Sequence, residues 1–179
     1  NRGISKRKLK DYYGAISDNT KAIEINPNYA KAYFNRGYAK DELKDYYGAI
    51  SDYTKSLEIE PNDSQAYYNR GISKRKLKDY NGAISDYTKA IEINPNYAKA
   101  YSNRGYAKDE LKDYYGAISD YTKAIEIDPN DAAAYYNRGI SKRKLKDNYG
   151  AISDYTKAIE INPNYAKAYY NRGWNKGKL

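Results

Sequence analysis

Apolar residues along the chain recur in spaced sets. From Tyr12 they fall at offsets 0, 3, 4, 10 and 11, as Tyr12, Ala15, Ile16, Ala22 and Ile23. That spacing puts them on one face of an α-helix, with Asp11 placed to cap its first turn. Offset 7 is Asn19 here, but Tyr53, Tyr87, Tyr121 and Tyr155 fill it in later blocks. Pro27 predicts the end of the helix and Asn28 a cap for the next one. The next stretch, AKAYFNRGYAKDEL, predicts a second helix with Leu43 near its end. Only Lys44-Asp45 then links to the following block, so paired helices must lie antiparallel.

The blocks return every 34 residues with no insertion or deletion. Asn-Arg-Gly starts at 1, 35, 69, 103, 137 and 171, and Pro falls at 27, 61, 95, 129 and 163. A second period of 68 lies on top, because ISKRKLK alternates with YAKDELK. A fixed period of this length predicts stacked supersecondary units. The expected organisation is one array over residues 1–179. Its units are 1–34 (lacking the start of its first helix), 35–68, 69–102, 103–136 and 137–170. Residues 171–179 would end a C-terminal capping helix.

On these residues the chain resembles the tetratricopeptide repeat family. Gly71, Ala83, Ala90 and Pro95 match the small residues and proline that mark a family unit. Gly37, Ala49 and Pro61 match three of the four in the preceding unit, with Ser56 as the exception. The usual aromatic near the start of the first helix is Tyr33, Tyr67, Tyr101, Tyr135 and Tyr169. The resemblance covers the whole chain. It implies an all-α fold, a right-handed α-solenoid (superhelix) of antiparallel helix pairs.

Two departures from the family pattern are systematic. An Arg (Arg2, Arg36, Arg70, Arg104, Arg138, Arg172) stands where Leu is usual, and a Lys (Lys6, Lys40, Lys74, Lys108, Lys142) where an aromatic is usual. Both fall on the packed side of the first helix, and a buried Arg needs a partner. Asp18, Asp52, Asp86, Asp120 and Asp154 recur in the middle of each second helix, so Arg–Asp ties between helices are expected. Arg172 has no following Asp and so decides whether such ties lie within units or between them.

The resemblance also implies a concave groove lined by the first helices. Asn35, Asn69, Asn103 and Asn137 hold one groove position. An amide offers both donor and acceptor to an extended peptide backbone. Bonds to a neighbouring helix or to water are the alternative use of the same groups. Tyr38, Tyr68, Tyr106 and Tyr136 would supply aromatic contact area between the amides, or pack between helices. Arg75, Lys76, Asp109 and Glu110 are the groove charges: Arg-Lys pairs alternate with Asp-Glu pairs one unit apart. Such exposed opposing pairs would be worth only ~0.2–1 kcal/mol each and would favour repeat register, or they would form a charged rim that selects a ligand. The carboxylate clamp of the chaperone-binding branch, a Lys and an Asn in the first unit, is absent in that form, so no chaperone-tail receptor is expected.

Composition narrows the function. The 179 residues contain no Cys and no His, which excludes thiol nucleophiles, disulfides and imidazole chemistry. No cofactor, metal or enzymatic activity is expected. The 25 Tyr against one Phe predict thin layers built of Ala, Ile, Leu and Tyr. Net charge is +9, but the blocks 1–34, 69–102 and 137–170 are each +4 while 35–68 and 103–136 are each −3. Acidic blocks interrupt every basic one, so nucleic-acid binding is not expected. No apolar run is long enough for a membrane span. A chain that starts at Asn1 and lacks Met predicts a piece of a longer or processed protein. Near-identical units fit recent duplication or engineering, and the Lys, Asn, Ile and Tyr bias favours a natural array. The expected function is a non-catalytic scaffold that binds an extended peptide or partner helix in the groove. The alternative is a self-associating array, end to end or groove to convex face, forming a homo-oligomer. Compartment stays open, with the cytoplasm favoured.

Overall fold

A computed structural model of the chain describes residues 11–179. The described residues form ten α-helices and no strand, in two compact units that meet between Pro95 and Asn96. The first unit holds α1 (Tyr12–Ile25), α2 (Ala30–Glu42), α3 (Tyr46–Ile59), α4 (Ser64–Lys76) and α5 (Tyr80–Ile93). The second holds α6 (Ala98–Glu110), α7 (Tyr114–Ile127), α8 (Ala132–Lys144), α9 (Asn148–Ile161) and α10 (Ala166–Lys176). Within each unit every helix packs against its neighbours in the chain, most closely in the pairs α2–α3, α4–α5, α6–α7 and α8–α9.

The helix starts follow the side chains available. Asp11, Asp45, Asp79, Asp113 and Asp147 each accept a hydrogen bond from the backbone N–H of the Gly three residues on, as expected of N-caps. The expectation for Asn28 is corrected. The next helix begins one residue later, so its N-cap is Tyr29, which makes no side-chain cap. Asn28 sits in the turn and donates its N–H to Asn26 Oδ1 instead. In the alternate units Asp63 and Asp131 occupy the cap position and accept from two backbone N–H groups each.

The tight link between paired helices has a defined shape. Lys44 N–H donates to Asp41 O and Asp45 N–H to Lys40 O, the two bonds of a Schellman close. Lys44, Lys78, Lys112 and Lys146 adopt φ of 63–65° to make this turn. A non-glycine residue in that region costs ~1–2 kcal/mol, which the flanking caps must offset.

The core is thin, as the composition predicts. Its repeating elements are Ala49, Ala83, Ala117 and Ala151 under the fully buried rings of Tyr53, Tyr87, Tyr121 and Tyr155. The first-helix glycines explain how the rings fit. A Cβ on Gly71 would stand 2.7 Å from a Tyr87 ring carbon, and one on Gly37 would stand 3.2 Å from Ala49 O.

The Arg and Lys departures belong to one device. Arg36 donates from Nε and Nη2 to both carboxylate oxygens of Asp52, at 2.9 and 2.7 Å. Arg70–Asp86, Arg104–Asp120 and Arg138–Asp154 repeat the geometry. Lys40, Lys74, Lys108 and Lys142 add a second cation at 2.8–2.9 Å from the same Asp. Each Asp is thus buried with its charge fully engaged. Arg36, Arg70 and Arg138 also donate from Nη1 to Thr20, Thr54 and Thr122 on the preceding second helix. Arg172 has no carboxylate partner among the described residues and keeps only the bond to Thr156. The ionic tie therefore lies within a helix pair, and the Thr hydroxyl links it to the pair before. The expected Arg2–Asp18 tie lies outside the described residues, because Arg2 does.

Candidate functional site

The residues expected to face a ligand stand on the first helix of each pair, α2 and α4 in one unit and α6 and α8 in the other. Asn35, Asn69, Asn103 and Asn137 are half-buried at equivalent places on these helices. Asn103 Nδ2 donates to Lys99 O, one turn back on its own helix. On α10 the equivalent Asn171 donates to the Tyr136 hydroxyl at 2.9 Å, so at least one amide is used between neighbouring first helices.

The aromatic residues divide in two. Tyr68 and Tyr136 pack at a tilt on the buried rings of Tyr87 and Tyr155, with centroids 5.9 and 5.8 Å apart. Phe34 does the same on Tyr53. These rings anchor to the core on one side and remain partly open on the other. Tyr38 is half-buried, while Tyr106 is 37% exposed. In the first unit a cavity of about 430 Å3 opens beside Asn35 and Phe34, with Tyr29, Lys31, Asp63 and Gln65 around it. It admits a side chain and exposes both amide and ring.

The alternating charges are not all exposed. Asp109 is buried, accepts a hydrogen bond from Ser141 at 2.7 Å and pairs with Lys144 at 2.8 Å. Asp41 likewise takes the Ser73 hydroxyl. Burial pushes the Asp41 carboxyl up from its ordinary range, while Ser73, Lys76 and Arg75 pull it back and Glu42 adds to the rise. Glu42 accepts from the Tyr12 hydroxyl. Burial of the Asp overturns the expectation of an exposed pair. The Ser that enables it was missed, although the signal was present. Ser73 and Ser141 alternate with Ala39 and Ala107 at one position, in step with the 68-residue period.

Arg75 and Arg143 stand where the acidic units have Asp41 and Asp109. They lie near the phenols of Tyr87 and Tyr155, whose ionisation burial suppresses; the Tyr155 hydroxyl is pushed up to about 12. Both phenols therefore stay protonated at ordinary pH. Among the described residues no helix is long and apolar enough to cross a membrane.

Comparison with known proteins agrees with this architecture. No curated protein matches the chain. Among solved structures, a crystal structure of MamA is 27% identical, covers 93% of this chain and 98% of its own, and superposes with a TM-score of 0.88. The structure of YrrB, described as a TPR protein with an unusual peptide-binding site, is 24% identical over 99% of this chain and 89% of its own, with a TM-score of 0.84. The first TPR of Spaghetti (RPAP3), bound to the HSP90 peptide SRMEEVD, is 27% identical over 65% of this chain and 92% of its own, with a TM-score of 0.64. The family model of the tetratricopeptide repeat matches residues 30–63, 64–97, 98–131 and 132–165. Each match spans one of the close pairs α2–α3, α4–α5, α6–α7 and α8–α9, and together they cover most of the sequence: the chain belongs to the tetratricopeptide repeat family.

Proposed function

We propose that the chain is a non-catalytic scaffold for protein–protein interaction, binding an extended peptide of a partner across its first-helix face. The observation that carries this reading is the recurrence of the same partly accessible amide and aromatic set in both units. Asn35, Tyr38, Tyr68 and Asn69 form it in the first, and Asn103, Tyr106, Tyr136 and Asn137 in the second. Amides at a fixed spacing suit main-chain groups, and rings already anchored to the core offer contact area at small entropy cost. Lys76 and Glu110, both exposed, would add charge selection at the rim. The related RPAP3 domain, solved with a peptide, supports the reading by analogy.

A peptide-library screen on the whole chain tests it. A selected peptide should bind, and Asn69→Ala and Asn103→Ala should each weaken it about tenfold, about 1.4 kcal/mol, while the fold persists. Binders unaffected by either variant contradict the reading.

Self-association is a second reading, favoured by one observation. α10 leaves Tyr169, Tyr170 and Trp174 exposed, and a Cβ on Gly173 would meet nothing within 4 Å. Sedimentation over a wide concentration range separates the two, since a strict monomer removes the second.

A further inference from the structure

The charge alternation breaks at one place. Arg7-Lys8 is followed 34 residues later by Asp41-Glu42, and Arg75-Lys76 by Asp109-Glu110. Arg143-Lys144 is followed by Gly177-Lys178. Where an acidic pair would stand, the chain supplies another cation.

The second unit has a cavity there of about 310 Å3. It is lined by Arg143, Lys144, Lys146, Asn148, Trp174 and Lys178, with no carboxylate among them. The Trp174 ring carries two of the cations, Arg143 Cζ at 5.3 Å and Lys178 Nζ at 5.6 Å from its centroid. Arg143 Nε is buried with no hydrogen-bond partner. Two acids next to lining residues already have partners. Asp109 holds Lys144 from one side at 2.8 Å, and Asp147 is turned to cap the Gly150 N–H. Lys144 also lies 5.0 Å over the Tyr114 ring. Arg143, Lys146 and Lys178 thus line the cavity with no carboxylate in its wall.

We infer that this pocket is an anion site that takes the side-chain carboxylates of an acidic segment, such as an Asp-Glu pair, in a partner polypeptide. Charge complementarity argues for it, because such a segment supplies what the sequence withholds after Arg143-Lys144. Size argues for it too, since the cavity fits one or two side chains. A nucleic-acid strand is a poorer fit. Asp109 lies beside Lys144, and residues 103–136 carry seven acidic against four basic groups, which gives a phosphate backbone no continuous track. An Arg presented on a Trp face is oriented to bind a carboxylate in bidentate fashion. The inference builds on the first-helix face as the ligand face, because Arg143, Lys144 and Trp174 all stand on first helices.

Trp174 is the single tryptophan of the chain, so its fluorescence reads this site alone. The whole chain is titrated with a short peptide carrying two Asp-Glu pairs, with its Asn-Gln counterpart, and with a single-stranded oligonucleotide. The acidic peptide should give a saturable Trp174 response that weakens with salt, and the amide peptide should bind at least about tenfold more weakly. Arg143→Gln and Lys178→Gln should each weaken the acidic peptide about tenfold, while Lys176→Gln, outside the pocket, should not. Lys178 is exposed, so its variant keeps the fold even where Arg143→Gln does not. Equal binding of the two peptides, no Trp174 response, or an unchanged affinity in Lys178→Gln overturns the inference. Tighter binding of the oligonucleotide overturns it in favour of phosphate. Amide shifts at Asn69 and Asn103 report the first-helix face separately, so failure of one reading is distinguishable from failure of the other.

Discussion

At the scale of single residues the chain is organised around buried aspartates. Asp86 carries one charge against two cations, Arg70 and Lys74, whose side chains are 16% and 21% exposed. Removing the anion strands both cations against the core. Asp86→Ala should cost about 3 kcal/mol, the low end for breaking a buried pair because the cations retain some water. Arg172→Leu removes a guanidinium that has only a Thr partner and a ring, so it should cost no more than about 1 kcal/mol. Urea unfolding of the two variants checks this contrast. Equal losses would mean that the Arg contributes by packing alone. Asp41 allows a pH test. Its folded pKa is raised, mainly by burial. The protonated form is therefore favoured in the fold: that stability is complete below the ordinary carboxyl value and is lost as pH rises through the folded value. Asp41→Asn keeps an acceptor for Ser73 without a charge. Its stability relative to the parent chain should rise as pH increases from below the ordinary carboxyl value through the raised folded one. A constant difference across that range would contradict the burial account.

At the scale of helices, small residues mark where backbones meet and Tyr rings fill what remains. Gly71 faces the Tyr87 ring, so Gly71→Ala should destabilise by about 1–3 kcal/mol through overpacking. Gly173 occupies the same repeat position on α10 but faces open space. Gly173→Ala should therefore stabilise by up to about 1 kcal/mol through helix propensity. Thermal melts of both variants would show opposite shifts. Most of this layer was legible in the sequence. The 34-residue step gave both helices, the Asp caps, the short antiparallel link and the Arg–Asp tie. What was not legible depended on a neighbour one unit away. Lys40 and its equivalents were recognised as odd, but nothing in one helix says that they share the Asp with Arg36. The bonds from Arg36, Arg70 and Arg172 to Thr20, Thr54 and Thr156 likewise depend on the helix before, and no pattern within one helix marks those threonines. Asn28 was misread because the cap depends on where the backbone first turns helical, a shift of one residue.

At the scale of the whole molecule, repetition applies the same local rules in both units. Each helix pair closes its own ionic tie, and the Ser–Asp bonds link alternate first helices within each unit. The 68-residue period of the charges thus serves the fold first, because Asp41 and Asp109 are spent on Ser73 and Ser141. A set of amides and rings also recurs along the first helices, with Asn35, Asn69, Asn103 and Asn137 at one position and Tyr38 and Tyr106 at another. That set was legible as a pattern of identical positions, but its ligand was not. Identical residues in copied units record copying as well as use, and Asn171 bonding Tyr136 shows that an amide here can serve a neighbouring helix. Nuclear magnetic resonance of the whole chain during titration with a library-selected peptide separates these uses most directly. The account predicts saturable shifts of the side-chain amides of Asn69 and Asn103 and of the Tyr106 resonances, with the buried Tyr121 unmoved. Saturable binding that leaves Asn69, Asn103 and Tyr106 unchanged would contradict it.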